Sequence, residues 1–245
     1  MAFEGYTQET LDFLWGIRFN NERSWFLAHK QDYEAHLLAP TRALGEQVYE
    51  ALHAAFPKEP FLLKLSRIYR DARRLHGNGP YKDHLWFCIR SRDARRLHGN
   101  GPYKENLWFT LRCDSSRGPE IPAFYFEITP HNYSYGMGFW APKAALMEAY
   151  RKAVDEHPEV LEKLVKRFNK QAQFTLSGPE YARKKTAPSP LLAAWYNKKS
   201  INLQHDAAPD ERMFSQELAQ DIIEGFRTLM PLYKYFDGLC AAEMV

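Results

Sequence analysis

Apolar side chains recur at helical spacing through the first sixty residues, and then the period changes. Leu11, Leu14 and Ile17 fall on one helical face, with Thr7 placed as N-cap and Glu9 in the first turn. Asn20-Asn21 interrupts that face and can cap a second helix, along which Trp25, Phe26, His29 and Tyr33 recur at three- and four-residue steps. Such an aromatic stripe reads as core packing in preference to a cofactor box. Pro40 suits the first turn of a third helix running to about Phe56, and Pro57 and Pro60 close this helical front section, residues 1–60.

Residues 61–69 read as a strand with partial alternation, and residues 123–129 as another. A Pro130-His131-Asn132 turn leads into residues 133–140, so these segments form an antiparallel hairpin. Gly136 and Gly138 share one face of it, which suits close approach of a backbone or ligand, or a bulge. After this strand-rich middle (61–140) the helical period returns in residues 141–157, and Pro158 opens a further helix through Phe168. Residues 174–176 form a short strand before a Gly-Pro turn and the basic run 181–185, which reads as a solvated loop or, less simply, as one wall of an anion pocket. Pro188 and Pro190 bound a short helix with Trp195 and Tyr196. Residues 201–203 make a last strand, and Ser215 caps a final helix ending near Pro231. Strands in the middle and helices at both ends give an α+β fold around an antiparallel or mixed sheet, and no linker divides residues 1–245 into more than one domain.

The middle section contains one stretch written twice. Residues 70–82, Arg-Asp-Ala-Arg-Arg-Leu-His-Gly-Asn-Gly-Pro-Tyr-Lys, recur letter for letter at 92–104. Each copy runs into a similar apolar segment, so the tandem units span 70–90 and 92–112. Arg67, Arg70 and Arg73 bring several guanidinium forks into one short segment, and such forks bind carboxylate or phosphate bidentately. Asp71 can orient one of them, Asn78 lies in a Gly-Pro turn whose amides can converge on an anion, and Tyr81 and Lys82 add a hydroxyl and an ammonium. One carboxylate cannot neutralise Arg67, Arg70, Arg73, Arg74 and Lys82, so an external anion is the natural complement. The bland reading of the same residues is an Arg-Asp pair fixing a loop.

Arg67-Ile68-Tyr69-Arg70-Asp71-Ala72-Arg73, followed by Asn78 and Tyr81, resembles the motif of a bacterial family of conserved hypothetical proteins, domain-of-unknown-function family 2461. Asn20-Asn21 with Trp25-Phe26, Tyr33 and Pro40 is similar to that family's opening helices, and Tyr181 with Arg183-Lys184 to its later basic motif. Arg74 and Gly79 depart from the pattern, which has Phe and Lys there. The resemblance implies one copy of the motif. Only the first copy here has the arginine three residues upstream, since Ile89 stands in that place before the second. The resemblance implies no reaction, so catalytic residues are left unassigned.

Net charge is only +3, which drives the chain as a whole onto neither nucleic acid nor an anionic membrane. Cys88, Cys113 and Cys240 have no paired spacing, and Glu127 and His131 flank a turn without metal-site spacing, so neither disulfide framework nor metal site is expected. No Walker loop or nucleophile elbow occurs, and no cofactor is expected. With no signal-peptide pattern and no apolar membrane span, a cytoplasmic protein is expected. Its expected partner is an anionic small molecule. The alternative is a non-catalytic module for protein or single-stranded nucleic acid, with Trp86 and Trp108 as stacking groups. An added repeat strand at the sheet's margin would favour a longer sheet or a homodimer.

Overall fold

A computed structural model describes residues 2–69, 103–113 and 120–242. Helix α1 (Gln8–Phe19) starts after Thr7 as expected, with the Thr10 hydroxyl accepting from the Thr7 amide at 3.2 Å. Asn20 ends it, both its amide and its side chain donating to the Gly16 carbonyl, but Glu22 rather than an asparagine precedes α2 (Arg23–Ala28). Pro40 stands in the first turn of the next long helix, which ends before Phe56 as expected, but no break precedes that helix. Helix α3 (Lys30–Asp32) runs through a π-helical turn (Tyr33–Leu38) directly into α4 (Ala39–Ala55).

Pro40 therefore sits inside a continuous helical path, where it cannot donate to the carbonyl of His36. The Thr10 hydroxyl of α1 donates to that carbonyl instead, at 2.6 Å. A neighbouring helix thus satisfies the group that proline leaves open, and the path continues. The aromatic stripe packs as core: Phe13 lies 5.7 Å from both Trp25 and Tyr33, and Phe26 is buried.

The sheet is antiparallel throughout, with strands β1 (Leu62–Leu65), β2 (Leu107–Arg112), β3 (Pro122–Ile128), β4 (Tyr133–Phe139), β5 (Thr175–Ser177) and β6 (Asn202–Ala207). Their spatial order is β1-β2-β3-β4-β6-β5. The β3–β4 hairpin is the one expected, while β6 runs four residues past the expected Leu203. In those residues His205 faces Tyr135, with ring centroids 4.7 Å apart and tilted, while Gln204 and Asp206 take the other face. Strand β2, supplied by the second repeat unit, lies inside the sheet between β1 and β3 and not at its margin. The corresponding segment of the first unit, 85–90, lies outside the described residues.

One face of the sheet is apolar. Phe109, Phe124 and Phe126 meet α4, the N-terminal Tyr6 and the last helix, as in the stacking of Phe124 on Phe226 at 4.6 Å and on Tyr233 at 4.8 Å. Two helices, α5 (Ala144–Glu156) and α6 (Pro158–Phe168), and the short α7 (Ala193–Tyr196) fill out the helical side. The final helix α8 (Glu217–Ala242) does not stop near Pro231 but passes through it. Leu229, Leu232, Tyr233, Phe236 and Cys240 are all buried on its inner side, and that packing outweighs the roughly 3 kcal/mol that an interior proline costs.

Candidate functional site

The strand that carries Arg67 continues past β1 by pairing with the start of the second repeat's strand. The Ser66 amide donates to the Trp108 carbonyl at 2.8 Å, and its hydroxyl accepts from the Trp108 amide at 3.0 Å. The Lys104 amide donates to the Ile68 carbonyl at 2.8 Å, and Tyr69 bridges to Tyr103. Arg67 is exposed on this ribbon. The other sequence-predicted residues, Arg70, Asp71, Arg73, Asn78, Tyr81 and Lys82, lie outside the described residues.

The second-copy counterparts of Tyr81 and Lys82 are described, and they divide. Tyr103 is buried, stacks on Phe26 at 4.3 Å, and has both backbone groups held by the side chain of Asn21 at 2.9 Å. It is a wall of the core. Lys104 is half-buried, with its ammonium 5.6 Å from the Trp108 ring. The pairing of Asn21 with a backbone eighty-two residues away could not be read from its local spacing, which pointed only to a cap.

Opposite the phenylalanine face, the sheet is polar. Trp108, Glu127, Ser134 and Asp206 stand opposite one another across β2, β3, β4 and β6; the next row is Thr110, Tyr125, Gly136 and Gln204. A third row is Ala123, Gly138 and Asn202. At Gly136 and Gly138 the close approach is made by strand β6 itself: a Cβ at Gly136 would lie 2.0 Å from the Leu203 carbonyl oxygen. The glycines thus let β4 and β6 meet.

Glu127 is the most perturbed acid on this face. It is 2% exposed, and its Oε1 accepts from Asn106 Nδ2 at 2.5 Å. Its Oε2 is buried with no hydrogen-bond partner among the described residues. Burial pushes the carboxyl up to about 8; the Asn106 hydrogen bond opposes the rise, Asp206 adds to it, and Lys104 opposes it. At neutral pH Glu127 is therefore mainly a neutral acid with a hydrogen to donate. Beside it, burial pushes the Tyr125 phenol far up, and the Asn202 and Ser134 side chains face its hydroxyl.

The rim carries charge. Arg18 pairs with Glu105 at 3.6 Å and lies 5.5 Å from the Trp15 ring, against which His131 packs edge-on at 4.7 Å. Burial and the Arg18 guanidinium hold the His131 imidazole below its usual range. Asn132 donates to Asp206 at 2.5 Å. Among the described residues no group of three or more His, Cys, Asp or Glu could hold a metal ion, and no helix is long and apolar enough to cross a membrane. Sequence reasoning met Glu127 only as a residue flanking a turn. The available signal was its place in Tyr125-Phe126-Glu127-Ile128, where an acid alternates with core residues in a strand.

The family model described as conserved hypothetical protein DUF2461 matches residues 9–99 and 90–235. The two matched stretches overlap within the repeated region. No curated protein matches the chain.

Proposed function

Because the chain belongs to the conserved hypothetical protein family DUF2461, whose description names no reaction, its function must be argued from its own side chains; we propose that the polar sheet face around Glu127 holds an anionic small ligand. The observation that carries this reading is the buried Glu127 carboxyl with Oε2 unpartnered among the described residues. A buried polar atom left unsatisfied costs about 1–3 kcal/mol, and a phosphate or carboxylate oxygen accepting from the neutral acid removes that cost. Lys104, close enough to oppose the Glu127 shift, supplies positive charge near the carboxyl. Arg67 stands on the ribbon that carries Lys104, and in this reading Arg70, Asp71, Arg73, Asn78, Tyr81 and Lys82 complete the grip.

Calorimetric titration with a sugar phosphate and a nucleoside monophosphate, below and above the Glu127 midpoint, tests it. Binding should weaken as pH rises through about 8, because an ionised Glu127 repels the anion. Glu127→Gln should keep binding and lose that pH dependence, while Arg70→Ala and Arg73→Ala weaken binding with the fold intact. If neither compound binds at any pH, the reading is wrong. If a single-stranded oligonucleotide binds instead, a binding module using Trp108 beneath Lys104 takes its place.

A further inference from the structure

On the helical side of the molecule, Arg151 is buried without a counter-ion among the described residues. It lies on α5, is 9% exposed, and its Nη1 has no hydrogen-bond partner among the described residues. Two carboxylates of this region have other partners. Asp155, one turn along the same helix, accepts from the Tyr196 hydroxyl at 2.9 Å. Glu180 is taken by Lys184 at 2.7 Å and by Lys198 at 3.2 Å. The Arg151 guanidinium lies over the Tyr181 ring at 4.7 Å, and the Lys199 ammonium is 5.8 Å from the same ring.

The ring that both cations approach is held in place from several sides. The Tyr181 amide donates to the Asn197 carbonyl at 3.0 Å, and the Lys199 amide to the Pro179 carbonyl at 2.7 Å. The Asn197 side chain accepts from the Lys185 amide at 2.9 Å and donates to its carbonyl at 3.0 Å. Tyr150, whose hydroxyl is buried without a partner among the described residues, is within electrostatic reach of Arg151. A guanidinium removed from water is stable only when paired, and the aromatic face satisfies it only in part.

We propose that Arg151, Tyr181 and Lys199 form an anion site for a phosphate-bearing small molecule. The guanidinium presents its free Nη1 to one phosphate oxygen, and the exposed Lys199 closes on another. Two cations on one ring suit a dianion better than a carboxylate, and guanidinium forks match phosphate geometry. The site does not depend on Glu127.

Inorganic phosphate is the probe, with acetate as the carboxylate arm, read by the side-chain ¹⁵N resonances of Arg151 and by calorimetry. Phosphate should move the Arg151 resonances saturably and acetate should not. Lys199→Ala, at an exposed position, should weaken the phosphate response of Arg151 several-fold, and Arg151→Met should remove this site from the calorimetric titration while raising the melting temperature in phosphate-free buffer. Glu127→Gln should leave this response unchanged, so failure of the sheet-face reading is distinguishable. Arg151 resonances that ignore phosphate, or that respond to it with unchanged affinity in Lys199→Ala, would overturn the proposal.

Discussion

Tyr69 pairs across an antiparallel bridge with Tyr103, so the first strand's extension meets the tyrosine of the second repeat copy. The chain between those partners holds the whole first repeat unit and most of the second copy's turn. Deleting residues 71–92 joins Arg70 to Asp93, keeps Tyr103, Lys104 and β2, and restores a single Arg67-x-x-Arg70-Asp motif. The shortened chain should fold, and closing the smaller loop should stabilise it by about 1 kcal/mol in denaturant unfolding. A loss of several kcal/mol would show that the removed unit belongs to the core.

The bond from Thr10 to the His36 carbonyl sets a second expectation. Thr10→Val keeps the shape and removes the donor, leaving a part-buried carbonyl that Pro40 cannot satisfy. The variant should lose about 1–3 kcal/mol. Combined with Pro40→Ala, whose restored amide can reach His36, the loss should shrink. Equal losses in both backgrounds would contradict this pairing.

Gly136 has no room for a side chain, because a Cβ would meet the carbonyl of β6 at 2.0 Å. Gly136→Ala should therefore force β4 and β6 apart and cost about 2 kcal/mol or more by thermal unfolding. A neutral outcome would mean that the strands have slack.

Cys113 should resist alkylation at mildly alkaline pH. Burial pushes its thiol up to about 11, with its Tyr233 hydrogen bond opposing that rise and nearby Asp237 and Glu59 adding to it, so little thiolate is present. Peptide mapping after brief iodoacetamide treatment should find Cys113 largely unmodified, and rapid modification there would refute this environment.

How much of this was legible in the sequence depends on whether the deciding contact was local. The α+β class, the β3–β4 hairpin and the helix from Pro158 to Phe168 rest on periodicity and proline placement, which are local, and all three are present. The merging of the second and third helices rests on Thr10 of another helix, and the passage of α8 through Pro231 rests on tertiary packing. Neither could be read from the segment itself. The same holds for the site. Arg67 was read from its motif, whereas Glu127 owes its character to burial, to Asn106 and to the register of four strands.

The protonation of Glu127 also sets a pH dependence of stability. Its folded-state value near 8 lies above the ordinary carboxylate value, so the folded state holds the proton more tightly than the unfolded chain does. This group therefore leaves stability unaffected at acid pH and lowers it progressively as pH rises towards 8. Glu127→Gln should match wild type in acid and exceed it above pH 8, by about 1–3 kcal/mol. A constant difference at all pH values would mean that the carboxyl titrates alike in the folded and unfolded chain.

The most direct measurement is the carboxyl ¹³C titration of Glu127, without and with a sugar phosphate. The expected midpoint is about 8 in the free protein, moving higher on binding because a neighbouring anion favours the neutral acid. A midpoint in the ordinary carboxylate range, or one that stays fixed while the sugar phosphate binds, would contradict a ligand site built on Glu127.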